Sequence, residues 1–120
     1  GYFIFSQEHP FTTAPLKGVS WTRDENGERL HYNLSDYQRS GKREMTWFID
    51  GVVKYHRTFS EIVNTLLTTG FSIEEMIEPA PSEELITRLP YYAKELHKPN
   101  FLLIKAQKNR DRLLEKLRLT

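Results

Sequence analysis

The stretch TFSEIVNTLLTTGFSIEEMIEP, residues 58–79, decides the fold. Thr58, followed three residues later by Glu61, forms a capping box, in which each side chain satisfies a backbone N–H left over at a helix start. Phe59, Ile62, Val63, Leu66 and Leu67 then recur at the i, i+3, i+4, i+7, i+8 spacing of one buried helix face. Gly70 stands where a helix ends in a left-handed cap. Phe71, Ile73 and Ile77 follow at even spacings among Glu74, Glu75 and Glu78, which is the period of a strand. Pro79 and Pro81 stop it, because proline cannot donate to a sheet ladder.

Working outward, residues 2–6 are a short aromatic run of the kind that makes a buried strand, and His9-Pro10-Phe11 ends it. Downstream, Ser82 caps a short helix reaching about Leu89, and Pro90 starts a second over residues 91–96. Phe101-Leu102-Leu103-Ile104 is a continuous apolar run, the pattern of a central strand covered on both faces. The tail from Asn109 places Leu113, Leu114 and Leu117 on one side and reads as a helix. Residues 12–57 form an embedded insertion. Its clearest turn is Asp24-Glu25-Asn26-Gly27. Strands around residues 30–34 and 44–53, separated by Ser40-Gly41-Lys42, read as one small antiparallel sheet. The expectation is a single α/β domain over residues 1–120 with the insertion inside it.

Composition excludes several classes. The chain of 120 residues is long enough to bury a core without a staple, and it holds no cysteine, so disulfides and thiolate metal sites are out and a cytoplasmic location is expected. A net charge of +1, from 17 basic and 16 acidic residues, argues against a dedicated nucleic-acid binder. No apolar run nears the roughly 20 residues that span a bilayer. The start, Gly1-Tyr2-Phe3-Ile4-Phe5, lacks an initiator Met and a signal-peptide pattern, and reads as part of a longer protein. His9, His31, His56 and His97 show no metal-ligand spacing. Asp24-Glu25-Asn26-Gly27 resembles the start of a calcium loop, but the twelfth position is Ser35 rather than Glu.

Four short motifs stand in order: His9-Pro10-Phe11 after the first strand, Tyr55-His56-Arg57 before the long helix, Gly70-Phe71 after it, and Glu78-Pro79 after the next strand. In this order the chain resembles the C-terminal half of a class I S-adenosylmethionine-dependent methyltransferase, in a subgroup acting on small molecules. The resemblance implies a Rossmann-like α/β sheet represented by strands five to seven, with an antiparallel lid insertion over residues 12–57. It also implies that Phe101–Gln107, as strand seven, lies between strands five and six. The family binds S-adenosylmethionine through a glycine-rich loop in its other half. Here Gly1, Gly18, Gly27, Gly41, Gly51 and Gly70 include no G-x-G pair. No cofactor-binding residue is therefore assigned. S-adenosylmethionine is expected in a full-length parent, and this half alone is expected to bind none and to methylate nothing.

In an open α/β sheet ligands bind beyond the carboxyl ends of the parallel strands. His9 stands at such an end, as a candidate general base or as a residue that shapes the strand exit. His56 and Arg57, before a helix N-terminus, are candidates for orienting a polar substrate, or for anchoring the insertion. Phe11, Tyr37 and Trp47, with Tyr32, Phe48, Tyr55 and Trp21 nearby, would wall an apolar substrate pocket or fill the insertion's own core. The expected partners are a small-molecule methyl acceptor and the missing N-terminal half of the same protein, without membrane or nucleic acid. Without strand four, the first strand would be an exposed apolar edge, and self-association through it is expected. Two other readings remain open from the residues. One is a non-enzymatic α+β module whose aromatic insertion grips a ligand or partner. The other is an RNA contact through the basic tail after Lys105.

Overall fold

The computed structural model describes residues 1–16, 20–45 and 52–109. Strand β1 (Tyr2–Glu8) is followed by the short helix α1 (Pro10–Thr13), strands β2 (Trp21–Arg23), β3 (Arg29–Tyr32), β4 (Gly41–Met45) and β5 (Val52–His56), and helix α2 (Phe59–Thr68). Strand β6 (Phe71–Ile77), helix α3 (Glu83–Arg88), a 3₁₀ helix (Pro90–Leu96) and strand β7 (Phe101–Lys108) complete the order.

The main sheet has the order β1-β7-β6, with both pairs antiparallel. The last strand thus lies between the other two, as expected. Cross-strand partners Phe5↔Ile104 and Ile73↔Ala106 share one face. Helix α2 covers that face: Ile62 and Leu66 pack on Leu102, Ile104 and Ala106, with Phe5, Phe59, Phe71 and Ile73 around them. The apolar run in β7 is not covered on both faces, which corrects the reading from sequence. Burial alternates along the strand; Leu102, Ile104 and Ala106 are buried, Leu103, Lys105 and Gln107 half-buried. On the second face Ile4 is 67% exposed. Strand β1 is an edge of this sheet, and Tyr2 and Phe3 on it are exposed too.

The insertion also differs from the reading. The segments around residues 30–34 and 44–53 do not pair with each other. Each belongs to its own hairpin, β2–β3 and β4–β5. The reason is local: the Asp24 carboxylate accepts from the backbone N–H groups of Asn26 and Glu28, both at 2.9 Å, closing a tight turn so that β3 pairs with the strand just before it. Of the second stretch the described residues show the end of β4 (Gly41–Met45) and the start of β5 (Val52–His56), so Gly41 and Lys42, expected to separate two strands, lie within one. The segment at 91–96 is a 3₁₀ helix. The helix expected after Asn109 lies outside the described residues.

Helix α2 has the ends its sequence demands. Thr58 Oγ1 accepts from Glu61 N–H at 3.2 Å, and Glu61 Oε1 accepts from Thr58 N–H at 3.1 Å. Gly70 closes the helix at φ +93°, where a side chain would be strained. The Ser40 hydroxyl also donates to Glu61, and this bond, ahead of the two from Thr58, holds the Glu61 carboxyl below the usual glutamate range. A depressed carboxyl stabilises the fold above its unfolded pKa, and that contribution is lost as pH falls through the lowered value. Thr58→Ala should therefore cost about 1 kcal/mol in urea unfolding at neutral pH, with the deficit shrinking on acidification.

Candidate functional site

The exit of β1, the exit of β6 and the entry of β7 meet at one residue. His9 is fully buried. Its backbone N–H donates to Asn100 O at 2.9 Å, just before β7. Its Nδ1 accepts from Phe11 N–H at 3.2 Å and so caps α1, with Pro10 at the first helical position. An Nδ1 that accepts leaves the proton on Nε2, which donates to the Glu78 carboxylate. Both ring nitrogens are thus engaged, and a base role would require one of these bonds to open.

Helix α1 is held from three sides. Tyr32 Oη donates to Phe11 O at 2.7 Å, and burial pushes that phenol's pKa up. Lys98 Nζ donates to Thr12 Oγ1 at 2.8 Å and to Asn100 Oδ1 at 2.6 Å, and lies 4.9 Å from the Tyr32 ring centre. Burial lowers the Lys98 pKa, opposed by the nearby carboxylates of Glu8 and Glu95. On the third side stands His56, also fully buried. Its Nε2 donates to Tyr37 O at 2.8 Å, which leaves Nδ1 to accept from the Thr13 hydroxyl at 2.7 Å.

The structure thus brings together four of the six residues singled out from sequence. His9, Phe11, Tyr37 and His56 form a chain of ring contacts with centroids 4.6, 5.8 and 5.7 Å apart. Tyr37 ties this chain to α2, its hydroxyl accepting from Phe59 N–H at 2.8 Å. Arg57 stands apart: it is exposed and borders a hollow of about 230 Å³ with Glu8, Thr13, Lys54 and Tyr55. Lys54 and Glu8 are paired there at 2.7 Å. Trp47 lies outside the described residues. A second hollow of about 240 Å³ runs from Glu78 and Pro79 to His97, Lys98 and Pro99, beside the carboxylate that holds His9. No group of acidic and histidine side chains able to hold a metal occurs among the described residues.

Two structural residues were not singled out from sequence. Arg43 is 3% exposed, and its guanidinium donates to the carbonyls of Ala14 at 2.9 Å, Asp36 at 3.1 Å and Arg39 at 2.6 Å. Lys98 pins α1 to the loop before β7. Neither carries a motif, because their partners are carbonyls and amides scattered along the chain.

No family model matches the chain. An uncharacterized protein of Haemophilus influenzae is 38% identical over 112 residues, which are 90% of this chain and 42% of that protein. Two solved structures share its fold. One is a candidate S-adenosylmethionine-dependent methyltransferase from Listeria monocytogenes, 40% identical, with a TM-score of 0.80 over 92% of this chain and 49% of that one. The other is an S-adenosylmethionine-dependent methyltransferase from Mesorhizobium loti, 40% identical, with a TM-score of 0.76 over 88% and 48%. The chain spans about half the length of the proteins it matches. No helix among the described residues is long and apolar enough to cross a membrane.

Proposed function

We propose that this chain, which over nearly its whole length resembles half of a class I S-adenosylmethionine-dependent methyltransferase, is the C-terminal, sheet-closing and substrate-binding half of such an enzyme. The observation that carries the reading is the joint likeness in sequence and fold, 40% identity with a TM-score of 0.80, to about half of a solved protein of that description. The order β1-β7-β6 supports placing the three strands as five, seven and six of the family sheet. Residues 12–57 would then be the lid, tied to α1 and the residue after it through His56, Tyr32 and Arg43.

In this reading the acceptor is a small molecule and the methyl passes directly from sulfonium to nucleophile, with position supplying most of the catalysis. Phe11, Tyr37, Trp47, His56 and Arg57 belong to the acceptor side, and His9 holds the strand exits in register beneath it. The setting is cytoplasmic, and the partner is the N-terminal half that carries the cofactor loop. Calorimetric titration with S-adenosylhomocysteine tests this. The folded 120-residue chain should give no heat of binding, whereas a longer protein containing it should bind in the micromolar range. Micromolar binding by the chain alone would overturn the assignment.

The same reading makes β1 an edge that strand four would cover. With Tyr2, Phe3 and Ile4 exposed on it, the isolated chain should self-associate. Light scattering should show dimers or larger species that vanish when the longer protein is used. A monodisperse monomer at high concentration would count against this.

A further inference from the structure

Between the β2–β3 hairpin and the 3₁₀ helix lies a hollow of about 440 Å³, larger than the two at the candidate site. Arg29, Glu28, Tyr91, Lys94 and His97 are among its walls. Arg29 lies over the Trp21 ring, its guanidinium carbon 5.3 Å from the centroid, and Trp21 is itself flanked edge-on by Tyr32 and His97. A guanidinium stacked in this way has its flat face occupied and its N–H edge left for an acceptor in its plane. Among the described residues no partner is found for its Nε, which is buried. A buried donor without a partner is costly and calls for an explanation. Lys94 adds a second cation, resting over the Tyr91 ring at 5.6 Å. Glu28 opposes the two, but no ion pair joins it to either among the described residues. Tyr91 is 59% exposed and stacked on Tyr92, an apolar surface beside the charges.

We propose that this hollow binds the carboxylate of a small organic acid with a flat apolar body. The carboxylate takes the Arg29 N–H edge with Lys94 beside it, and the body lies against Tyr91. His97 also borders the smaller hollow that contains Glu78.

The test is calorimetric titration of the protein with benzoate, its neutral analogue benzyl alcohol, and inorganic phosphate, with the Arg29 Nε–H resonance followed by NMR. Benzoate should bind and shift that resonance, and benzyl alcohol should not. Arg29→Gln should weaken benzoate by about tenfold or more, the usual weight of a charge-assisted hydrogen bond. Lys94→Ala, on the other side of the hollow, should weaken it several-fold without disturbing the Trp21 stack. Thermal melts of both variants show that they remain folded. Phosphate competing with benzoate would support a site for oxyanions at Arg29. Equal binding of benzyl alcohol, unchanged benzoate affinity in both variants, or no binding of any probe would each overturn the proposal.

Discussion

Arg43→Ala is expected to destabilise the insertion by about 3–5 kcal/mol, more than the loss of a surface contact would. The Arg43 side chain is almost fully buried, and the acceptors it satisfies are backbone carbonyls from three places: Ala14 after α1, and Asp36 and Arg39 in the turn before β4. That turn is itself unfavourable in isolation, since Asp36 sits at φ +56°. A non-glycine residue there is uncommon and persists only where surrounding contacts fix it. Removing the guanidinium leaves several carbonyls without their donor, each costing about 1–3 kcal/mol where water cannot replace it. Arg43→Lys keeps the charge but not the planar fork, so a single ammonium cannot reach carbonyls on opposite sides. It should recover less than half of the loss. Urea unfolding followed by Trp fluorescence and by far-ultraviolet circular dichroism measures this. Because Trp21 reports on the insertion, the fluorescence transition should move to lower urea ahead of the α2 signal. A change within about 0.5 kcal/mol would place Arg43 among ordinary surface residues.

Arg43 also marks where sequence reading stops. Helix α2 and strand β6 were legible because their signals are local: a capping box three residues apart, an apolar stripe at helical spacing, and a glycine at the one position that takes φ +93°. The order β1-β7-β6 was legible only through the resemblance, since periodicity says which residues form strands and not which strands are neighbours. The insertion was misread for the same reason. Alternation placed a strand near residues 30–34, where β3 runs, but the stretch read as one strand at 44–53 holds the end of β4 and the start of β5, and the pairing of β3 was settled by the Asp24 side chain closing a hairpin. In β7 the run Leu102-Leu103-Ile104 suggested two covered faces, and only one is packed by α2. Leu103 faces the other way, beside Ile77 across the ladder.

Among the site residues, the ring-bearing positions came together because each histidine and tyrosine side chain has both an apolar body and a polar edge to satisfy, while Phe11 packs between the rings of His9 and Tyr37. His56 finds Thr13 and the Tyr37 carbonyl, and Tyr37 finds the first turn of α2. Buried cations gave no such warning. A Lys or Arg in a charged, loop-rich stretch reads as solvated surface, and only the fold shows that Lys98 and Arg43 hold segments tens of residues apart.

His9→Ala should cost about 2–4 kcal/mol, since it removes a fully buried ring and leaves the α1 start and Glu78 without their partner. His9→Asn separates the two roles that sequence left open. Asparagine keeps an acceptor that can cap Phe11 N–H, so it should restore a good part of that stability. Glu78→Gln retains an acceptor for Nε2–H, and with the carboxylate half exposed it should cost no more than about 1 kcal/mol. The decisive readout is turnover in a longer protein that carries the cofactor half. If His9 acts as a base, His9→Asn should lose about 10²–10⁴-fold in kcat while remaining folded, because proton transfer contributes that much. If His9 positions the strand exits, kcat should fall only as far as the folded fraction falls, Glu78→Gln should be nearly silent, and the pH profile should keep its shape. The engaged nitrogens and the full burial of the ring favour the second outcome. The ring then serves the chemistry at one remove: it fixes where β1 ends, and with it the angle at which α1 presents Phe11 toward Tyr37 and His56.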